Sequence, residues 1–247
     1  MKKINKYGLI GRDINYSFSK KYFSNKFKIE KINCEYLNFD IENINFFTSI
    51  FLENNIKGLN VTIPYKESII TFLDEIDDIA NKIGAVNTIK IINNRKIGFN
   101  TDYIGFKKSL LNFTDGVIPK NALLLGSGGA TKAIKYALKS LNINQKTVSR
   151  KYGKSDLTYD ELNKEIIKNS DLIINCTPLG TYPNINQSPY IPYEFLSESN
   201  TLFDLIYNPI KSSFLNKGQK MGCKIQNGLE MLEIQAEESW KIWNSPN

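Results

Sequence analysis

Within Asn121–Ser140, Gly126, Gly128 and Gly129 separate an apolar run from an amphipathic stretch. Ala122–Leu125 reads as a buried strand. Beyond the glycines, apolar residues recur at Ala130, Ala133, Ile134, Ala137, Leu138 and Leu141, intervals that mark one helical face. A strand, a glycine turn and a helix N-terminus together suit an anion. The first helical N–H groups have no partner within the helix, and the helix dipole adds partial positive charge. Glycine lets the backbone approach a pyrophosphate closely. The pattern departs from G-x-G-x-x-G/A at its third position, Thr131. A plain strand-to-helix turn is the alternative reading. The next candidate strand, Lys146–Arg150, ends at Ser149-Arg150-Lys151, with Lys154 close by and Asp156 the first acid. An NAD site carries an acid here for the ribose 2′-OH, whereas a basic cluster suits a 2′-phosphate. NADP is therefore favoured over NAD.

The chain of 247 residues has no histidine. That excludes histidine triads, histidine metal ligation and histidine proton relays, leaving acid–base work to Lys, Asp, Glu, Tyr or Cys. Cys34, Cys176 and Cys223 are odd in number and far apart. They argue against a disulfide scaffold or a zinc site, and for a reducing cytoplasm. No metal is expected. No apolar run approaches a membrane span, and the stretch after basic Met1–Lys6 is too short for a signal peptide. The formal charge of +7 comes from scattered lysines, so no nucleic-acid partner is expected and some attraction for anionic ligands is.

The elements that must position such residues alternate. Strands are expected at Lys6–Gly11, Asn33–Phe39 and Gly58–Ile63, and helices through Tyr22–Phe27, at Ile44–Leu52, at Lys66–Leu73 and at Ile76–Ile83. A hairpin about Asn93-Asn94 fits Thr88–Phe99. A helix then runs from Gly98–Gly105 to about Phe113. Later come a helix near Asp160–Lys168, strands Asp171–Cys176 and Leu202–Tyr207, a helix Lys211–Lys220, a strand at Lys224–Ile225, and a final helix from Gly228 to about Trp243. The fold class is α/β.

Several segments, in order, resemble the shikimate dehydrogenase family over nearly the whole chain. They are Tyr16-Ser-Phe-Ser19, Gly58-Leu-Asn-Val-Thr-Ile-Pro-Tyr-Lys66, Ile83-Gly-Ala-Val-Asn-Thr88, Gly98-Phe-Asn-Thr-Asp102, Asn175-Cys-Thr-Pro-Leu-Gly180 and Gly228–Gln235. The resemblance implies an N-terminal α/β substrate-binding domain, 1–101, on which a C-terminal helix, 226–247, packs back. It also implies a linking helix and Rossmann-type NADP-binding domain, 102–225, with the site in the cleft between the domains. It implies NADPH-dependent reversible reduction of 3-dehydroshikimate to shikimate, a step of chorismate and aromatic amino-acid biosynthesis, by a monomer or homodimer. Carried over by motif, Lys66 and Asp102 are the catalytic pair. Ser17, Ser19, Thr62, Asn87, Thr101, Tyr207 and Gln235 meet substrate. Gly126, Ser127, Gly128, Gly129, Ala130, Ser149, Arg150, Lys151, Thr177 and Gly228 hold NADP, with Thr177, Tyr207 and Gly228 near the nicotinamide or its edge.

The chain departs from the family at Tyr16 (usually His), at Asp13 and Lys20 (often Pro), at Ser149 and Lys151 (Asn and Thr) and at Thr181 (often Met). The chemistry suits the residues. A small ring with hydroxyls and a carboxylate asks for Ser, Thr, Asn and Gln. A ketone receiving hydride asks for a proton donor, and without histidine Lys66 is the best candidate, with Asp102 to orient it. Plainer roles exist for each: serines cap helices, Asp102 stands where an N-cap would, and Gln235 suits a solvated helix face. Rival readings are an NAD-using quinate/shikimate dehydrogenase, a folate dehydrogenase/cyclohydrolase of similar plan, a non-catalytic NADP- or shikimate-binding regulator, and a nucleic-acid module.

Overall fold

The computed structural model describes residues 4–15, 17–51, 55–151, 153 and 155–246. Tyr16, Leu52 and Lys154, named above, lie outside the described residues. The chain divides into two compact units, Met1–Thr101 with Ala236–Asn247, and Asp102–Gln235.

The first unit begins with β1 (Asn5–Gly11), α1 (Phe18–Ile29) and β2 (Cys34–Asp40). A 3-10 turn at Ile44–Phe51 leads to β3 (Ile56–Val61). A second 3-10 turn, Ser68–Phe72, precedes β4 (Glu75–Ile76), α2 (Asp78–Ile83), β5 (Thr88–Ile92) and β6 (Arg95–Phe99). The sheet order is β2-β1-β3-β5-β6-β4. β1 runs parallel to β2 and β3, whereas β5 is antiparallel to both β3 and β6. Asn93 and Asn94 make the β5–β6 turn with φ of 48° and 63°, the left-handed values that a two-residue type I′ hairpin needs. On one face Ile10, Phe47, Leu59, Val61, Ile69 and Ile89 form a core. On the other, Tyr7, Phe23, Phe27, Tyr36 and Trp243 form an aromatic one.

The second unit opens with α3 (Asp102–Phe113), β7 (Asn121–Leu125), α4 (Gly129–Ser140), β8 (Asn144–Ser149) and β9 (Leu157–Thr158). It continues through α5 (Lys164–Lys168), β10 (Leu172–Asn175), β11 (Thr201–Asp204), α6 (Ser213–Lys220) and β12 (Lys224–Gln226). The last helix, α7 (Leu229–Asn244), gives its residues through Gln235 to this unit. All pairs in this sheet are parallel, in the order β12-β11-β10-β7-β8-β9. Read from β7, that is the doubly wound dinucleotide-binding order, which reverses between β7 and β10. Successive strand residues point to opposite faces. Ala122, Leu124, Leu172 and Ile174 enter one core, and Leu123, Leu125, Ile173 and Leu202 the other. Burial on both faces is why these strands read as unbroken apolar runs rather than alternating ones.

Several expected boundaries move. Ile76 pairs in a short strand with β6 instead of starting a helix. The helix expected at 66–73 is a 3-10 turn that starts only at Ser68. The helix expected near 160–168 divides into a 3-10 turn, Tyr159–Glu161, and α5 at Asn163, which caps α5 by accepting from the Glu165 and Ile166 amides. The strand expected to reach Tyr207 stops at Asp204, whose side chain takes the Ile206 amide out of the ladder.

Candidate active site

In the first unit two of the substrate-binding candidates, Asn87 and Thr101, belong to a buried network of hydroxyls and amides. Asn87 Oδ1 accepts from the Thr101 amide at 2.7 Å, and Asn87 Nδ2 donates to Thr101 Oγ1 at 2.9 Å. The Thr101 hydroxyl also lies 3.2 Å from those of Thr88 and Ser239, which are 2.8 Å from each other. Asn60 Nδ2 donates to Ser239 Oγ at 2.9 Å, and Tyr36 donates to Asn60 Oδ1 at 2.8 Å. Thr88, Thr101 and Ser239 are wholly buried and Asn87 nearly so. An unsatisfied polar group there costs ~1–3 kcal/mol, so each hydroxyl is held by its neighbours. Ser19 is buried in α1. Ser17 caps α1, its Oγ accepting from the Lys20 amide at 3.4 Å. Thr62 is half-buried, with its amide on the Ile10 carbonyl at 2.9 Å.

Lys66 is half-buried just beyond β3, after the cis Ile63-Pro64 bond, and its carbonyl accepts from the Val86 amide at 2.8 Å. Asp102 is buried and opens α3, where the helix dipole favours a carboxylate. Gln235 is also buried, rather than on a solvated face, and its Nε2 donates to the Leu232 carbonyl at 3.0 Å. Burial raises the thiol pKa of Cys34, Cys176 and Cys223, Cys176 to about 12, so none is a thiolate near neutral pH.

In the second unit the glycine turn stands at the C-terminal end of β7, beside the point where strand order reverses. In open parallel sheets ligands bind outside the strand ends at this point. Gly126 has φ of +112°, a conformation that L side chains rarely adopt. Gly128 caps α4 without a side-chain hydrogen bond, and a Cβ built on it meets no atom within 4 Å. Ser127 is exposed; Gly129 and Ala130 are half-buried. The turn thus leaves open space before the first-turn amides, which fits a pyrophosphate. Arg150 and Lys151 are exposed at the end of β8, as a 2′-phosphate would need. Ser149, by contrast, is buried; it accepts from the Lys151 amide at 3.3 Å and donates to its carbonyl at 2.9 Å, shaping the basic turn. A Cβ at Gly228 would collide with the Leu205 carbonyl, so packing alone accounts for glycine there. Tyr207 is half-buried beyond β11, and half-buried Thr177 lies beside the glycine turn.

Sequence reading missed the supporting residues Asn60, Thr88 and Ser239. Asn60 and Thr88 stand inside the quoted motifs without a role of their own, and no local pattern marks Ser239, whose partners lie as far as 179 positions away. Asp204 had a signal: a carboxylate in the apolar run Leu202-Phe-Asp-Leu-Ile206.

The two sheets and the open, basic strand-end turn define an α/β protein with a dinucleotide-type domain. Residues 9–89 match the shikimate dehydrogenase substrate binding domain. A shikimate dehydrogenase (NADP(+)) of Methanococcus maripaludis is 41% identical over 252 residues, covering 96% of this chain and 90% of its own. Among solved structures, shikimate dehydrogenase 1 of Peptoclostridium difficile is 38% identical with a TM-score of 0.88, covering 99% of this chain and 93% of that one. The Thermus thermophilus enzyme, solved with NADP(H) and shikimate, is 27% identical with a TM-score of 0.85, covering 98% and 94%. The chain belongs to the shikimate dehydrogenase family. Among the described residues no helix is long and apolar enough to cross a membrane.

Proposed function

We propose that this chain catalyses the reversible NADPH-dependent reduction of 3-dehydroshikimate to shikimate. The observation that carries the reading is the glycine turn. It stands at the switch point of a doubly wound sheet, open before α4 and flanked by Arg150 and Lys151, in a chain 41% identical to an enzyme of that name. The α4 amides hold the pyrophosphate, and Arg150 with Lys151 hold the 2′-phosphate. NADPH, when bound, supplies the hydride. Ser17, Ser19, Thr62, Asn87, Thr101, Tyr207 and Gln235 form the substrate-binding set, with Asn87 and Thr101 anchored by the buried network. Thr177 lies at the nicotinamide wall. The Lys66 ammonium stabilises the charge that grows on the substrate oxygen and donates the proton to it. Asp102 is the second member of the catalytic pair. We place the enzyme in the cytoplasm, in keeping with its three free cysteines, as a monomer or homodimer.

The test is NADPH oxidation in the presence of 3-dehydroshikimate, with NADH in parallel. Turnover with NADPH is expected, preferred over NADH by at least about tenfold because a charge-assisted bond to the 2′-phosphate is worth roughly 1.5–3 kcal/mol. Arg150→Ala erases much of that preference. No turnover with either cofactor overturns the reading, and equal use of both overturns the assignment of Arg150 and Lys151.

A further inference from the structure

Asp204 ends β11 wholly buried, with three donors on its carboxylate. Asn175 Nδ2 and the Ile206 amide both donate to Oδ1 at 3.0 Å. Ser212, the cap of α6, donates to Oδ2 and itself accepts from the Leu215 amide. Asn175 carries the chain of bonds onward. Its Oδ1 accepts from the Thr177 amide at 3.0 Å and the Thr177 hydroxyl at 2.7 Å. Its Nδ2 also donates to the Leu179 carbonyl, while the Leu179 amide donates to Thr177 Oγ1. The turn held in this way lies against the glycine turn, since a Cβ on Gly126 would stand 3.0 Å from Thr177 Cγ2. A buried carboxylate is costly unless fully bonded, and here it is bonded to strand ends and loops on one side of one sheet.

We propose that Asp204 is a positioning residue for cofactor binding: through Asn175 its carboxylate sets the Thr177–Gly180 turn beside the glycine turn, forming the wall against which the nicotinamide end of the dinucleotide is placed. This rests on reading the switch point of the second unit as the NADPH site. The carboxylate touches neither cofactor nor substrate. Its work is geometric: Oδ1 fixes which way the Asn175 amide faces, and that orientation decides whether Thr177 finds an acceptor.

The test is NADPH binding, followed by titration of cofactor fluorescence, together with steady-state kinetics. Asp204→Ala strips the acceptor from Asn175 and Ile206, and NADPH affinity falls by about tenfold, the effect of losing one or two buried hydrogen bonds. Asp204→Asn keeps an oxygen for Asn175 and Ile206 and offers an N–H to Ser212, so affinity stays within about threefold of the parent. The loss in the alanine variant appears in KM for NADPH and much less in KM for 3-dehydroshikimate, a split that general loosening of the fold does not produce. Should Asp204→Ala not fold, Asp204→Ser, which has room for one donor but not three, carries the same expectation. Parental NADPH affinity in a folded alanine or serine variant overturns the proposal, as does an asparagine variant as weak as alanine. If the parent binds NADPH and the variants behave as stated, yet no shikimate turnover occurs, the dehydrogenase reading fails and the positioning role stands.

Discussion

At the scale of single residues, the absence of histidine concentrates the acid–base work. The three thiols are held neutral by burial, and five tyrosines, Tyr7, Tyr36, Tyr65, Tyr159 and Tyr193, have pKa values raised above the ordinary phenol chiefly by burial. Lys66, at the position of the family's catalytic lysine, is the candidate donor. Lys66→Ala is expected to lower kcat by about 10²-fold or more, with far less change in substrate affinity. Asp102→Asn also lowers the rate, and the double variant loses less than the product of the single losses, because residues acting as one unit are not additive. Near-parental turnover of folded Lys66→Ala at saturating substrate and NADPH ends the assignment. Asp204 gives a second residue-scale prediction. Burial raises its pKa to about 6, against the hydrogen bonds from Ser212, Ile206 and Asn175, which lower it. Its titratable neighbours Cys176 and Tyr193 are both pushed up to about 12 and stay neutral in the acid range. With the folded pKa above the unfolded one, the stability contribution is fully present below about pH 4 and is lost as pH rises through about 6. Across that window the parent should lose up to roughly 3 kcal/mol relative to Asp204→Asn, read from urea unfolding at a series of pH values. Identical pH slopes for the two proteins would contradict it.

At the scale of elements, the hairpin β5–β6 carries Thr88 at its start, and its far end leads through Asn100 into Thr101. The strands pair in register only if the turn closes with left-handed φ at both asparagines. Asn94→Val places a β-branched side chain at φ of 63°, and about 1–2 kcal/mol of stability should be lost, seen as a lower urea midpoint at unchanged m. Asn94→Gly should match or exceed the parent. If valine is tolerated without cost, the turn does not set the register.

At the scale of the whole molecule, two compact units with separate cores invite separate unfolding transitions. NADPH, if it binds at the second unit, should raise the melting temperature of that unit, the gain growing with the logarithm of ligand concentration above Kd. At about a hundred times Kd the gain is about 2.7 kcal/mol, whereas NADH at the same concentration should shift it less. A calorimetric scan with each cofactor checks this, and equal shifts would remove the case for a 2′-phosphate site. The formal charge of +7 favours approach of either polyanion and does not by itself distinguish them.

Features that local physics controls were legible in the chain alone. Ala122–Leu125 is apolar at every position because both its faces are buried, so strand and position were legible before any fold was known. The glycine turn, the amphipathic α4 and the Asn93-Asn94 hairpin were legible for like reasons, as was the family through its ordered motifs. Tertiary structure alone decided the rest. Glu75–Ile76 forms a strand only because β6 is there to pair with it. Beyond what one dimension shows for Ser149 and Gly228, the fold gives the first the shaping of a turn and the second the passage of a carbonyl. Ser239 becomes part of the Asn87–Thr101 network because α7 brings it to a strand 151 positions away. Hydrogen bonds act over about 3 Å in space at any separation along the chain, so no reading of neighbours in sequence reaches them.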